Sequence, residues 1–336
     1  MGCFQQTQKF WKQQFFGPFL SGVTWRGVGN VPGVNVAINQ LTASAAGVTL
    51  MIDGNGFVWR SLDGGKTWAN ISSDLVGASL NSACNLVSST TGTWLVCNGA
   101  DSYRSINNGA NWTHIPTGLT SAGSMSLATD QAGTWIAFPN ATGSNYGRST
   151  NDGLTWTAHA MFGVDPPNTG STNSPPIWDG ARFGLFTFSN VGGVFKSFVD
   201  TSPDGLTWTV TASPALMQQM LFNATTGLYI GLSFTNQVTT ATTAAGLGTS
   251  PLIAMRGLDG FNDFLVDGVY AGPDIFVLSA AGRVWNSFDG NLWAEDNVKM
   301  LPGEPFQFNA AIAYDPVNKS YILGGFLGSV SRYPPT

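Results

Sequence analysis

The sequence predicts an all-β protein folded as a seven-bladed β-propeller, and three observations predict it. A short motif returns at a regular period, short β-rich segments separate its copies, and each end of the chain holds part of one further copy. Self-similarity at a period of about 20 to 50 residues indicates repeated supersecondary units. Four strands in a unit of that size are typical of a propeller blade.

The repeated motif is a turn that ends in a tryptophan. It is written RSLDGGKTW from Arg60, RSINNGANW from Arg104 and RSTNDGLTW from Arg148, so successive copies start 44 residues apart. Two shorter versions, TSPDGLTW and NSFDGNLW, end 85 residues apart at Trp208 and Trp293. Because that interval is about two periods, the sequence predicts a degenerate copy between them, which we assign to TTAAGLGT at 242–249.

Each unit is predicted to contain four short strands. Residues 79–116 divide into SLNSACNLVS, TGTWLVCNG, DSYRSINNG and ANWTHIP, which are β-rich segments separated by Gly, Asn and Thr. Near the N-terminus, 22–28 offers a strand with a tryptophan but no preceding motif, and 320–333 offers strands with no tryptophan after them. We therefore expect both termini to build the last blade, with a propeller at 22–336 and an N-terminal anchoring arm at 1–21.

The motif S-x-D-x-G-x-T-W resembles the Asp-box of BNR-repeat β-propellers. That group includes sialidases, sortilin-type receptors, xyloglucanases, photosystem II assembly factors and phage-encoded propeller proteins, and the resemblance covers 22–336. The first copy matches in full at Ser61, Asp63, Gly65, Thr67 and Trp68. In the other copies Asn107, Asn151 and Pro203 replace the aspartate, and Thr201 and Asn286 replace the serine.

The resemblance implies a fold more firmly than a function, and we interpret the boxes as structural. A hydroxyl and a carboxylate or amide can bond backbone N–H groups in a tight turn, glycine permits positive φ, and the indole buries a large apolar face. The residues assigned to this role are Ser61, Asp63, Gly65, Trp68, Ser105, Asn107, Gly109, Trp112, Ser149, Asn151, Gly153, Trp156, Asp204, Gly205, Trp208, Asp289, Gly290 and Trp293.

Composition excludes several classes of function. Only 10% of the residues are charged and the formal net charge is −5, so the basic surface that nucleic-acid binding needs is not expected. The sequence has no apolar run long enough for a membrane span, and its start lacks the pattern of a signal peptide. We expect no metal site or cofactor. Cys84 and Cys97 could face each other; free thiols are favoured, and pairing is left open.

The resemblance implies a catalytic pattern that is known from sialidases. Sialidases clamp a substrate carboxylate with three arginines, the first in an F/Y-R-I-P motif, and no such motif precedes the first box. Arg60, Arg104 and Arg148 each stand before a box, so they are expected to line the rim of three blades, where an arginine patch would suit an assembly factor like the photosystem II group. No catalytic residue is assigned. Two carboxylates about 5 to 10 Å apart could still converge, so a glycoside hydrolase acting on surface polysaccharide stays the alternative.

Irregular segments and the arm supply the functional hypothesis. The segments 161–180 and 234–243 are predicted to open on the face opposite the boxes and to bind a ligand through Asn168, Thr172, Asn173, Trp178 and Asn236. The arm is predicted to leave the box face and to anchor a partner through Phe4, Phe10, Trp11, Phe15, Phe16 and Phe19.

An anchoring arm on one face and polar loops on the other suit an attached display module. We therefore predict a non-enzymatic virion structural protein of a phage tail, fibre or collar apparatus, made in the host cytoplasm. Other virion proteins are the expected partners of the arm, and a host surface glycan is the expected ligand of the far face.

Overall fold

The computed structural model confirms the seven-bladed all-β propeller. It describes residues 25–75, 80, 84–98, 100–119, 124–139, 145–162, 175–235, 237–255, 265–271, 274–279, 283–287, 289–296 and 311–333. These residues form seven antiparallel sheets of four strands each. The described helical residues are confined to three short 3-10 helices at Ser72–Leu75, Ala245–Gly248 and Phe326–Gly328.

The chain starts with β1 (Arg26–Asn30) and then builds six blades in order. Blade 1 holds β2 (Ile38–Ala43), β3 (Thr49–Asp53), β4 (Val58–Ser61) and β5 (Ala69–Asn70). Blade 2 holds β6 (Val87–Ser88), β7 (Trp94–Asn98), β8 (Asp101–Ser105) and β9 (Thr113–Pro116). Blade 3 holds β10 (Met125–Thr129), β11 (Trp135–Pro139), β12 (Tyr146–Ser149) and β13 (Thr157–His159). Blade 4 holds β14 (Ile177–Trp178), β15 (Phe183–Val191), β16 (Val194–Ser202) and β17 (Thr209–Ala212).

The later blades continue the same order. Blade 5 holds β18 (Met217–Asn223), β19 (Leu228–Ser233), β20 (Gln237–Ala241) and β21 (Ile253–Ala254). Blade 6 holds β22 (Leu265–Ala271), β23 (Asp274–Ser279), β24 (Val284–Ser287) and β25 (Ala294–Asp296). Blade 7 holds β26 (Ala311–Asp315), β27 (Ser320–Gly324) and β28 (Ser329–Tyr333), and its fourth strand is β1.

Burial along a blade explains the strand sequences. The second strands β3 and β11 are buried at every position, because both of their faces pack against neighbouring blades, and their sequences TLMID and WIAFP are correspondingly apolar. The fourth strands β5 and β13 lie at the outer rim, and most of their residues are exposed. Apolar clusters fill the seams between adjacent blades, as where Leu50 and Ile52 of blade 1 pack with Trp94 and Val96 of blade 2.

Strands from both ends of the chain meet in blade 7. β1 runs antiparallel to β28, with Arg26 opposite Arg332 and Asn30 opposite Ser329. Trp25 precedes β1, is 2% exposed, and contacts the rings of Phe276 and Tyr333 at centroid distances of 6.0 and 5.3 Å. The predicted arm at 1–21, with all six of its anchor residues, lies outside the described part of the chain.

The turn between the third and fourth strands, here called the repeat turn, has the predicted bonding in blade 1. Ser61 Oγ accepts the N–H of Gly65 at 2.9 Å, and Asp63 Oδ1 accepts the N–H groups of Lys66 and Thr67 at 3.0 and 2.9 Å. The indole Nε1 of Trp68 donates to the Gly65 carbonyl at 3.1 Å. Burial raises the pKa of Asp63, but these bonds and that from Thr67 Oγ1 outweigh it and hold the pKa below its usual value.

The residue assignment was wrong for two repeat turns. In blade 4 the serine role belongs to Ser202, whose Oγ accepts the N–H of Gly205 at 2.8 Å, and the acid is Asp204; Thr201 and Pro203 do not take these roles. In blade 6 the same bond joins Ser287 to Gly290, and Asn286 plays no such part. Both turns are one residue shorter than the others.

The residue that the two shorter turns lack is one with a left-handed backbone conformation. In the longer turns the residue before the glycine adopts positive φ: Gly64 at 68°, Asn108 at 55° and Asp152 at 59°. The shorter turns of blades 4 and 6 omit this left-handed residue. A period counted from the tryptophan therefore misplaces the serine by one position.

Blade 5 carries the degenerate copy where it was predicted, between its third and fourth strands. The segment forms the 3-10 helix Ala245–Gly248 in place of an acid-stabilised turn. Thr243 Oγ1 accepts the N–H of Gly246 at 3.0 Å, which reproduces the serine-to-glycine bond of the short turns. The segment 234–243 was predicted to be a loop, but Gln237–Ala241 forms strand β20.

Candidate functional site

The first strands of the seven blades surround an axial channel of about 930 Å³. Each strand contributes residues in turn around the axis because propeller blades are arranged radially. Its wall includes Asn39, Gln40, Thr42, Asn85, Ser88, Ser126, Thr129, Gln131, Trp178, Gln218, Gln219, Phe234, Asp267 and Ile312. Amides and hydroxyls share this wall about equally with apolar residues, among them Leu41, Leu86, Leu127 and Ala128.

Side chains of the wall tie neighbouring blades together. Thr42 Oγ1 of blade 1 donates to the Leu86 carbonyl of blade 2 at 2.8 Å. Asn85 of blade 2 bonds both backbone groups of Leu127 in blade 3, donating at 3.1 Å and accepting at 2.7 Å. Gln218 of blade 5 donates to a blade 6 carbonyl. Much of the polar wall therefore holds the ring closed.

Asp267 is the one carboxylate among the described residues that line the channel. Its Oδ1 accepts from Gln219 Nε2 at 3.0 Å, and its Oδ2 accepts the N–H of Ile312 at 2.9 Å. Burial raises the pKa of Asp267 to about 6, although these hydrogen bonds act to lower it. A carboxyl engaged on both oxygens serves as a link between blades 5, 6 and 7, and lacks a carboxylate partner in the described wall.

Blade 4 has the most elongated hairpin. Strands β15 and β16 each span nine residues, and the ladder runs from Phe183 opposite Ser202 to Val191 opposite Val194. The outer strand β17 pairs from Phe198 to Thr201, and the N–H of Ser213 donates to the Ser197 carbonyl at 2.9 Å, so the ribbon from Lys196 to the tip extends past the outer strand. It projects on the face opposite the repeat turns, here called the loop face.

The tip of this hairpin is a two-residue turn. Gly192 and Gly193 have φ of 62° and 83°, and two consecutive residues at positive φ are typical of a type I′ turn. Val194 and Phe195 beside the turn are 59% and 67% exposed. The blade thus presents apolar side chains to solvent at the tip of a paired ribbon.

The ligand residues predicted from the sequence have different outcomes. Asn168, Thr172, Asn173 and Asn236 lie outside the described residues, so their role stays a prediction. Trp178 does line the channel, but its predicted place on the loop face was wrong. It forms the end of β14 opposite Phe183, which in turn pairs with Ser202, and this is the repeat-turn end of the blade.

The three arginines before the boxes each reach the next blade. Arg60 Nε donates to the Asn108 carbonyl at 2.8 Å, and Arg148 Nε donates to the Asp204 carbonyl at 2.9 Å. Arg104 bonds the carbonyl and the side chain of Asp152. These bonds give the rim arginines a structural use, and the sequence offered a signal for it in their common spacing.

Cys84 and Cys97 are buried and form no disulfide, and burial, with a smaller effect of Cys84, raises the pKa of Cys97. Within the described ranges no cluster of three His, Cys, Asp or Glu side chains is suited to holding a metal ion. Nor does any helix described there have the length and apolar character needed to cross a membrane.

The solved structures that resemble this chain are propellers of several kinds. YCF48 bound to a D1 peptide aligns with a TM-score of 0.67 at 18% identity, covering 93% of this chain and 96% of that one. YCF48 from Cyanidioschyzon merolae aligns with a TM-score of 0.63 at 14% identity, covering 93% of this chain and 99% of that one. The GH74 enzyme of Niastella koreensis gives 0.66 at 16% identity, covering 92% of this chain but 53% of that one.

These likenesses establish the fold. No family model and no curated protein sequence matches the chain. The similar structures include a peptide-bound propeller and an enzyme, so the function has to be argued from this chain's own residues.

Proposed function

We propose that this protein is a non-enzymatic display module of a phage particle, held in a tail, fibre or collar apparatus by its N-terminal arm and binding host glycan with its loop face. The observation that carries the proposal is the chemistry of the axial channel. The polar side chains of its described wall are uncharged amides and hydroxyls with a single carboxylate, Asp267, and they lie among apolar residues such as Leu41 and Leu86. Such a wall can bind a neutral polar ligand by hydrogen bonding.

The hydrolase alternative is less well supported by this wall. Glycoside hydrolysis generally needs two carboxyl groups across one bond, about 5 to 10 Å apart. Asp267 is bonded to Gln219 and Ile312 on its two oxygens, which leaves it poorly placed to receive or donate a proton. A binding role requires no second acid.

The attachment part of the proposal is supported by the arm's sequence and by where the described chain starts. The arm holds six large aromatic residues among its first nineteen positions, and aromatic side chains dominate the energetics of protein interfaces. Arg26 starts β1 opposite Arg332, at the repeat-turn end of blade 7. The described chain therefore starts on the face opposite the projecting hairpin of blade 4.

The experiment compares particle association of the full chain with that of a variant lacking residues 2–19. Particles are purified on a density gradient from cells that produce both particle and protein, and the protein is quantified by mass spectrometry. We expect the full chain in the particle fraction and the truncated chain in the soluble fraction, with equal melting temperatures. Absence of the full chain from particles would disprove the virion role, and normal incorporation of the truncated chain would disprove anchoring by the arm.

A Trp11→Ala, Phe15→Ala double variant sharpens the comparison. A few central aromatic residues tend to carry an interface, so this variant is expected to lose most of its incorporation. Gln13→Ala and Gln14→Ala together, in the same stretch of the arm, serve as the matched control and should incorporate normally.

A further inference from the structure

We infer that the projecting hairpin of blade 4 and the adjoining turn of blade 5 form a saccharide-binding subsite, with Phe195 as the platform on which a sugar ring stacks. This inference rests on the proposed glycan-binding function and names the surface that performs it. The site lies on the loop face, at the mouth of the axial channel.

The register of the hairpin decides which side chains share its faces. Phe188 pairs with Ser197, and Asn190 pairs with Phe195. Because cross-strand partners and alternate residues along a strand point the same way, these four side chains lie on one face. Val194 and Lys196 lie on the other face.

The face that carries Phe195 is turned towards blade 5. Farther down the same face, Phe186 and Val199 are fully buried in an apolar cluster with Met220 and Tyr229 of blade 5. Phe188 contacts Phe234, which follows the second strand of blade 5, at a centroid distance of 5.3 Å. Phe195 therefore lies nearer the tip than Phe188 and Phe234, on the side of the ribbon that faces the blade 5 turn.

This surface is continuous with the channel. Phe234 is one of the channel-lining residues, as are Pro175 and Pro176 before the first strand of blade 4. The row of Phe195, Phe188 and Phe234 thus leads from the exposed tip of the hairpin to the channel mouth. A ligand that stacks on the tip can extend towards the amide-lined wall.

Two polar atoms on the same face lack partners among the described residues. They are Asn190 Oδ1 and Ser197 Oγ, and Ser197 is only 2% exposed. Buried polar atoms are generally hydrogen-bonded in native proteins, and exceptions point to a water, an ion or a ligand. Here they lie next to the exposed aromatic ring, where a hydroxyl-bearing ligand can bond them after a small movement of the tip.

An exposed aromatic ring beside unpartnered polar atoms favours a neutral saccharide as the ligand. A sugar ring presents an apolar C–H face, which suits an exposed aromatic ring, and hydroxyl groups at its edge, which suit amide and hydroxyl partners. The one cation of the tip, Lys196, lies on the opposite face of the ribbon. The subsite therefore offers no charge to an acidic sugar.

The chain provides a matched pair of variants. Phe195 and Val194 are neighbours at the tip with similar exposure, 67% and 59%, but they point to opposite faces. Phe195→Ala removes the stacking platform, Val194→Ala removes an apolar side chain from the other face, and neither disturbs the core. Phe195→Trp retains a platform of larger area.

Binding is measured by calorimetry on the full chain with neutral hexasaccharides of glucose, galactose and N-acetylglucosamine, and with hexagalacturonate as an acidic probe. We expect a neutral probe to bind, Phe195→Ala to weaken it by about tenfold or more, and Val194→Ala to change it by less than about twofold. Phe195→Trp should bind at least as tightly as the unaltered chain.

Three results would overturn the inference: no neutral probe binds, Phe195→Ala binds as well as the unaltered chain, or Val194→Ala weakens binding equally. Preferential binding of hexagalacturonate would also overturn it. Particle association of Phe195→Ala is measured in parallel. Normal association with unchanged sugar binding means that the subsite is wrong while the display function stands, whereas absence from particles of the unaltered chain means that the display function has failed.

Discussion

The guanidinium of Arg104 holds Asp152 at two points, although 48 residues separate them. Nε donates to the Asp152 carbonyl at 2.6 Å and Nη2 to the carboxylate at 2.8 Å. The same carboxylate accepts from Thr93 Oγ1 at 2.6 Å and Trp135 Nε1 at 3.0 Å. Because Asp152 belongs to the repeat turn of blade 3 and Arg104 to the third strand of blade 2, the turn fastens one blade to the next.

Arg104→Ala is predicted to lower the free energy of unfolding by about 1.5 to 3 kcal/mol, since it removes hydrogen bonds from a charged donor and leaves a partly buried carboxylate without it. Urea unfolding followed by tryptophan fluorescence measures the loss. Arg148→Ala is the matched control, because Arg148 Nε donates to the exposed carbonyl of Asp204, and it should cost less. Equal losses of unfolding free energy would contradict the conclusion that the bonds from Arg104 to Asp152 stabilise the ring more than the bond from Arg148 to Asp204.

In the repeat turns of blades 2, 3 and 4 the glycine packs against the second strand of the preceding blade. A Cβ on Gly109 would lie 2.9 Å from Leu50 Cδ1, and one on Gly153 would lie 2.5 Å from Leu95 Cδ1. The same relationship joins Gly205 to Ile136. These glycines are therefore required both by positive φ and by close approach.

A comparison of Gly109→Ala with Gly118→Ala should distinguish the cost of positive φ from the cost of close approach to the neighbouring blade. Both positions have positive φ, 73° and 68°, but a Cβ on Gly118 would meet nothing within 4 Å. Both variants should lose about 1 to 2 kcal/mol from backbone strain, and Gly109→Ala should lose about 1 to 3 kcal/mol more because the fully buried Leu50 cannot move aside. Equal midpoints in urea would show that the contact with Leu50 is unimportant.

The period of the sequence was sufficient to predict the blades, because the turn glycine and the tryptophan have spatial roles that no other residue type fills easily. It could not assign the serine in blades 4 and 6. There the turn omits a left-handed residue, so Ser202 and Ser287 lie one position nearer the tryptophan than Ser61 does. The Ser-x-Asp spacing, which both short turns keep, was the available sign of that deletion.

Less of the candidate site than of the fold could be predicted from the sequence. Trp178 was expected in a loop because it lies in the irregular segment 161–180, yet two residues suffice for the inner strand β14. The Asn190 to Phe195 pairing could have been found, since Val-Gly-Gly-Val between β-branched and aromatic residues indicates a two-residue hairpin. What the sequence could not indicate was that one face of this hairpin is turned towards blade 5.

Covalent closure of blade 7 is predicted to stabilise the propeller. Asn30 and Ser329 are opposite each other in β1 and β28, so Asn30→Cys with Ser329→Cys, in a chain carrying Cys3→Ser, should form a disulfide. The oxidised form should exceed the reduced form by about 2 to 4 kcal/mol in free energy of unfolding. Guanidinium unfolding with and without dithiothreitol measures the difference, and Ser329→Cys alone is the control. If the disulfide forms but does not raise the free energy of unfolding, then unfolding does not require β1 to separate from β28.

A buried carboxyl in blade 4 gives the stability a pH dependence. Asp200 is fully buried and accepts a hydrogen bond from Thr187 Oγ1, while its Oδ1 has no partner among the described residues. Burial raises the pKa of Asp200 from 3.8 to about 7, against the lowering effect of the Thr187 bond. The pKa of Asp63 lies below its ordinary value, so that group stays ionised in the window where Asp200 titrates.

Asp200→Asn is therefore predicted to stabilise the protein at pH 8 and to flatten its pH dependence between pH 5 and 7. A folded-state pKa above the unfolded value means that the contribution of protonated Asp200 is fully present below about pH 4 and is lost as the pH rises to about 7, by at most about 1.4 kcal/mol per pH unit. Urea unfolding at pH 5, 6, 7 and 8 measures it. Asp267→Asn is the control, because the pKa of Asp267 is raised only to about 6, so that variant should flatten the curve below pH 6 but leave the decline from pH 6 to 7. If the Asp200→Asn curve runs parallel to that of the unaltered chain, Asp200 is already ionised in the folded protein at pH 5, and the carboxylate must have a partner that offsets its burial.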